Sequence, residues 1–304
     1  MKTSKRGQHQ LTFPTSQCPK KYLHLLLTLF FHLRILQPMN SVILYTLHKA
    51  GSTFINGLLD QICRQLQIEH HTENNDRYFQ QISEASWKAY IESVSNTACF
   101  GPVRALTQTP VFPANLDQHT ILLHLRDPRD ILTSMFFSKA FSHRVLAGRF
   151  DISPKQRLEM QKSGIDHFVL ENAQKLVLKY DLLYQVLKDR PNTTIIHYED
   201  MVLNFPAWLD QVLKAFAPIK VPANKKRNLL LPQSMRRLKL KNTLLKINQN
   251  AFDVDQEDVL NHKRKVTPGD HRDKLKPETI ATLNKIFASY IPAGVSVTAG
   301  LSAA

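Results

Sequence analysis

One stretch, SVILYTLHKAGSTFINGLLDQIC (Ser41 to Cys63), restricts the possible folds more than any other part of the chain. It begins as an unbroken apolar run, the pattern of a strand buried on both faces. It ends in a helix, because Ile55, Leu58, Leu59, Ile62 and Leu66 recur at helical spacing. A strand, a tight loop and a helix N-terminus together make an anion site. The loop amides point outward and the helix dipole adds a partial positive charge. In the joining segment LHKAGSTF, Gly51 permits close backbone approach, Lys49 supplies a point charge, and Ser52 and Thr53 supply hydroxyl donors. The order of these residues differs from the ATP-binding loop G-x-x-x-x-G-K-[ST]. Here the lysine precedes the glycine and the first glycine is missing.

The alternation continues along the chain. NTACFG (Asn96 to Gly101) reads as a second strand and TILLHLRDPRD (Thr120 to Asp130) as a third, ending at Arg126. Pro128 suits the first turn of the next helix, where no amide donor is needed. A long helix follows, with Ile165, Phe168, Val169, Leu176, Val177, Tyr180 and Leu183 on one face. TTIIHYED (Thr193 to Asp200) reads as a β-branched strand. Phe205 to Phe216 and Pro277 to Ile291 read as helices, and EHHTENNDR (Glu69 to Arg77) as a polar loop. Strands alternating with helices predict an α/β fold with a central parallel sheet covered on both faces.

At 304 residues and 43% hydrophobic, the chain can bury a sizeable core. Its formal net charge of +15 favours anionic partners: phosphorylated cofactors, acidic lipids, acidic glycans or nucleic acid. Cys18, Cys63 and Cys99 are widely spaced and form no zinc-type cluster, so free thiols in the cytoplasm are expected. Lys20 to Gln37 is apolar but interrupted by His24, His32 and Arg34, and its uninterrupted apolar core is shorter than the ~20 residues a spanning helix needs. It reads as an amphipathic helix that packs on the domain or contacts a membrane surface peripherally.

A second motif narrows the anion. LRDPRDILTSMFFS puts Arg126 at a strand end and Ser134 two turns into the following helix, so both can address a second phosphate. With HKAGSTF (His48 to Phe54), RDPRDILTS (Arg126 to Ser134), YED (Tyr198 to Asp200) and RKVTPGDHRDKL from Arg264, the chain resembles sulfotransferases that use 3′-phosphoadenosine 5′-phosphosulfate (PAPS), the bacterial type above all. The four motifs occur in order across Ser41 to Ile291. The resemblance implies a P-loop-like three-layer fold, with a basic tail and N-terminal helix at 1–38, a sulfotransferase domain at 39–292 and a flexible tail at 293–304. It implies that Lys49 stabilises charge on the leaving phosphate and that Ala50, Gly51, Ser52 and Thr53 cradle the 5′-phosphate. Phe54 would stack on adenine, Tyr198 would lie near it, Arg126 and Ser134 would grip the 3′-phosphate, and Arg264 and Lys265 would close over it. This chain departs from the pattern in three places. Ala50 replaces a hydroxyl residue, Val266 stands where glycine is common, and the histidine that cytosolic members place before the Arg126 strand has no counterpart in GPVRALTQTPVFP, which offers Arg104.

Sulfuryl transfer demands positioning and charge stabilisation, with no metal, and a base for the acceptor proton. His143, just past the helix that begins at Pro128, is the first candidate base; His70, His71 and Glu73 are the second set. The implied acceptor is a hydroxyl or amine of a glycan, glycolipid or small molecule such as a natural product. Two alternatives compete. One is another P-loop nucleotide-binding protein or kinase, for which Asp127 and Asp130 are the nearest magnesium-holding residues. The other is a non-catalytic anion or membrane-surface binder built on the basic stretch from Lys214 to Lys246. No nucleic-acid-reading motif supports a DNA or RNA partner. Simpler local readings also exist: Arg126 as a strand-end arginine paired to Asp130, and Tyr198 as a core residue.

Overall fold

A computed structural model of the chain describes residues 41–72, 84–93, 97–104, 112–142, 152–218, 257 and 265–292. The N-terminal helix expected at Lys20 to Gln37, the basic stretch beyond residue 218 up to residue 256, and the tail from 293 lie outside the described residues. Strands β1 (Ser41–Thr46), β2 (Glu69–His71), β3 (Ala98–Arg104), β4 (His119–Leu125) and β5 (Thr193–His197) form one sheet in the order β2-β3-β1-β4-β5. Every pairing is parallel. The helices are α1 (Ser52–Leu66), α2 (Glu84–Ser93), α3 (Pro128–Phe137), α4 (Pro154–Leu183), α5 (Tyr198–Leu203), α6 (Phe205–Ala215), α7 (His271–Lys274) and α8 (Pro277–Ile286).

The central strand β1 is buried along its whole length, as its unbroken apolar run demands. Alternate residues feed two cores. Ile43 and Tyr45, with Ile121, Leu123 and Leu125 of β4, pack under α3, α4 and α8. Val42 and Leu44, with Leu122 and Ile196, pack under α1 and α6, where Trp208 is fully buried. This is the three-layer α/β arrangement expected from the sequence. Because α1 covers one face and α3 the other, the chain leaves β1 and β4 in opposite directions. Adjacent parallel strands whose connections diverge in this way open a crevice at their C-terminal ends.

Two local readings need correction. Glu69–His71 is not loop but the edge strand β2, in register with Ala98–Phe100 of β3. Its three polar residues carry no apolar alternation, and backbone pairing with β3 places them in the sheet. The strand read as Thr193 to Asp200 stops at His197, and Tyr198 starts α5. Glu199 and Asp200 lie in the first turn of that helix, where the dipole favours acidic side chains.

Two sheet histidines are buried neutral. His119 packs edge-on against Phe100 and both its ring nitrogens lack partners; burial pushes it down to about 4. His124 stands beside Thr46, edge-on to Trp208, and burial, with the nearby His197 and Arg126, pushes it down to about 3. A depressed histidine stabilises the fold fully above its unfolded value of ~6.5, and that contribution is lost as pH falls toward the folded value. Urea unfolding should therefore show the midpoint of the wild type falling more steeply between pH 7 and pH 4.5 than that of His119→Phe. Equal slopes would contradict the burial of a neutral His119.

Candidate active site

The loop after β1 takes an unusual path. Lys49 has φ 67° and Gly51 φ 77°, two left-handed residues flanking Ala50, which is fully buried. For a lysine that conformation carries strain, which the surrounding contacts must offset. Gly51 is the N-cap of α1, and no side chain caps the helix there. The first-turn amides of α1 therefore lack intrahelical acceptors, which suits an anion. Thr53 is exposed, Ser52 half-buried and Lys49 half-buried, so the loop faces solvent on one side. The ring of Phe54 meets Phe205 of α6 edge-on at 5.9 Å, which commits one side of it to the helix layer.

Arg126, directly after β4, is 5% exposed, and its guanidinium ties three segments together. Its Nη1 donates to the Lys49 carbonyl at 2.7 Å, its plane lies 4.1 Å over the Tyr198 ring, and its Nη2 is 4.0 Å from Asp130. Its Nε is buried without a hydrogen-bond partner. Tyr180 of α4 donates to the Arg126 carbonyl. The two motifs, 77 residues apart in sequence, thus meet at the C-terminal ends of β1 and β4, the crevice defined by the topology. Ser134 lies half-buried on α3, two turns on. Tyr198 is buried against Gly51 and Arg126, and its hydroxyl donates to the Val266 carbonyl at 2.7 Å. Tyr198 is thus a buried residue of this junction, as its core reading has it.

The acidic residues around the site are all engaged. Asp127 caps α3 through the Arg129 amide at 2.9 Å and grips the Arg129 side chain through Nε at 2.9 Å and Nη2 at 2.5 Å. Arg129 reaches on to Asn284 of α8. Glu199 accepts the Asp127 amide at 2.9 Å, and burial pushes its carboxyl up to about 7. Asp130 accepts the amides of Gly269 and His271 at 2.7 and 3.0 Å and His271 Nδ1 at 2.6 Å. Lys265 pairs with Asp273 at 2.9 Å and Asp270 at 3.5 Å. The reach of Asp130 to residues 139 and 141 positions away was not read from the sequence. Its only sequence signal is the acid that ends RDPRD, set against the PGDH segment.

Of the candidate bases, His143 and Glu73 lie outside the described residues, as does Arg264. His70 and His71 belong to β2. His70 Nε2 donates to the Gly101 carbonyl at 2.8 Å. His71 stacks on Phe100, accepts from the Tyr90 hydroxyl at 3.0 Å and donates to Glu69 at 3.2 Å. Both rings are thus tied into the sheet edge.

A family model described as "Sulfotransferase domain" matches residues 39–293. No protein of curated function matches the sequence. Among solved structures, the chain is similar to mouse sulfotransferase SULT7A1 complexed with PAP, at 13% identity and a TM-score of 0.48, over 83% of each chain. It is also similar to retinol dehydratase in complex with androsterone and the inactive cofactor PAP, at 14% identity and a TM-score of 0.42, over 84% of this chain and 81% of that one.

A Cβ on Gly51 would sit 3.0 Å from Met201 and 3.2 Å from the Tyr198 ring, in a backbone conformation that L-residues avoid. Gly57, in α1, has open space around it. Gly51→Ala should cost about 1–2 kcal/mol of stability, whereas Gly57→Ala should gain about 0.5–1 kcal/mol. Denaturant unfolding of the two variants checks this, and a neutral Gly51→Ala would contradict the described loop.

Proposed function

The chain belongs to the sulfotransferase family, and on that premise we propose that it moves a sulfuryl group from PAPS to a hydroxyl or amine of a glycan, glycolipid or small molecule. The observation that carries the proposal is the uncapped N-terminus of α1, joined through the Lys49 carbonyl to the buried Arg126. Two cationic positions and a helix N-terminus without a side-chain cap in one crevice fit a ligand with two separate phosphate groups. The unpartnered Nε of Arg126 fits such a ligand as well.

PAPS supplies an activated sulfuryl group and leaves as adenosine 3′,5′-bisphosphate. The chain's own residues position it and stabilise charge. The amides and hydroxyls from Gly51 to Thr53 hold the 5′-phosphate; the Ala50 amide donates to the Leu47 carbonyl at 3.4 Å, so buried Ala50 shapes the loop. Lys49 neutralises charge as it builds on the leaving phosphate, which places its effect in the transition state. Arg126 and Ser134 hold the 3′-phosphate, with Arg264 and Lys265 closing over it. Phe54 and Tyr198 border the adenine. His143 takes the acceptor proton. No metal enters this scheme. A kinase would need carboxylates turned to magnesium, whereas Asp127 and Asp130 are spent on Arg129, Gly269 and His271. Cytoplasmic residence and peripheral membrane contact belong to the same proposal.

Calorimetry in EDTA should show adenosine 3′,5′-bisphosphate binding more tightly than 5′-AMP. Binding that requires magnesium, or equal affinity for the two, would sink the reading. In steady-state assays, Lys49→Ala should lower turnover about 10²-fold or more with little change in KM for PAPS. His143→Ala should lower turnover about 10²-fold and leave nucleotide affinity intact. A Lys49→Ala variant that altered only KM would reverse its assigned role, and near-normal turnover in His143→Ala would remove that residue as the base.

A further inference from the structure

The segment from Lys265 to His271 is held in place by a side chain 141 positions before its end. Asp130 is 1% exposed, and each of its carboxylate oxygens is used. Oδ2 takes the Gly269 amide at 2.7 Å, and Oδ1 takes both the His271 amide at 3.0 Å and His271 Nδ1 at 2.6 Å. An ionised carboxylate can only accept, so Nδ1 carries the proton in this contact. The same carboxylate lies 4.0 Å from the Arg126 guanidinium. Burial alone would raise the Asp130 carboxyl, but the hydrogen bond from His271 and the charge of Arg126 hold it well below the usual carboxylate range. Gly269, at φ 91°, makes the turn that presents its amide, and Tyr198 fixes Val266 through its carbonyl.

Resting on the cofactor site proposed above, we propose that His271 is a positioning residue for recognition of the 3′-phosphate. Through Asp130 it sets Arg126 and the Lys265 segment at a fixed spacing, so that the two cations address one phosphate group. The bond is charge-assisted and wholly buried, which makes it stiff as well as strong. Without the Nδ1 donor, Asp130 keeps only backbone partners in this segment. The Lys265 end is then free to shift toward Asp270 and Asp273, which already pair with that lysine. The 5′-phosphate loop meets this bond at one remove, through Arg126 and the Lys49 carbonyl.

The test compares Kd for adenosine 3′,5′-bisphosphate and for 5′-AMP by calorimetry, in wild type and in His271→Leu and His271→Asn. The leucine variant fills the space without a donor, and the asparagine amide can donate from near the Nδ1 position. Loss of one such bond should reduce the preference for the bisphosphate about tenfold or more in His271→Leu, with a much smaller change in 5′-AMP affinity. His271→Asn should restore most of it. PAPS kinetics should show the same loss in KM, with turnover at saturation nearly kept. If the leucine variant does not fold, Asp130→Asn reads the same property, since it keeps the shape and removes the shared charge. A folded variant without the bond that still discriminates as well as wild type overturns the proposal alone. A wild type that does not distinguish the two nucleotides overturns the cofactor reading, and the proposal with it.

Discussion

A guanidinium buried at the end of a parallel strand is costly unless acceptors and opposite charge answer it. Arg126 is in that position, and the segments that answer it are the ones that make the site. The Lys49 carbonyl comes from the loop after β1, the Tyr198 ring from the start of α5, and Asp130 from the first turn of α3. Asp130 in turn brings in Gly269 and His271 from the C-terminal region. Four stretches scattered along the chain are thereby gathered around one cation. The left-handed turn at Lys49 follows from the same constraint, because it aims that residue's carbonyl at Arg126.

The fold places this cation usefully. Helices α1 and α3 leave β1 and β4 on opposite faces, so their N-termini open a crevice at the carboxyl ends of those strands. The first-turn amides of α1 and the charge of Arg126 give that crevice a positive character that suits phosphate. Carboxylates are close by, yet each has a structural duty: Asp127 on Arg129, Glu199 on the Asp127 amide, Asp130 on the C-terminal segment. Transfer of a sulfuryl group asks for this combination of oriented donors and a leaving phosphate held by cations.

Much of this was legible from residues alone. The apolar runs of β1 and β4 announce buried strands, the β-branched run of β5 announces a strand, and Pro128 announces a helix start. Lys49, Gly51 and Arg126 stand out because their types match phosphate chemistry at strand ends. Other features were hidden for physical reasons. β2 is a three-residue polar edge strand, and its identity comes from backbone pairing with β3 rather than from side-chain pattern. Tyr198 ends an apolar run, so it reads as strand, whereas the acidic pair after it belongs to a helix start. The Asp130–His271 bond joins residues 141 apart, and local pattern carries no trace of such a distance.

The central claim is that this crevice binds PAPS and releases its sulfuryl group to an acceptor oxygen or nitrogen. Transfer of labelled sulfate from PAPS across a library of glycans, glycolipids and small-molecule alcohols and amines tests it most directly. The account predicts labelled product from at least one acceptor class in the presence of EDTA, with production of adenosine 3′,5′-bisphosphate in equal amount and loss of both in Lys49→Ala. Labelled product formed equally well by Lys49→Ala, or phosphate transfer from magnesium-ATP to the same acceptors, would contradict it.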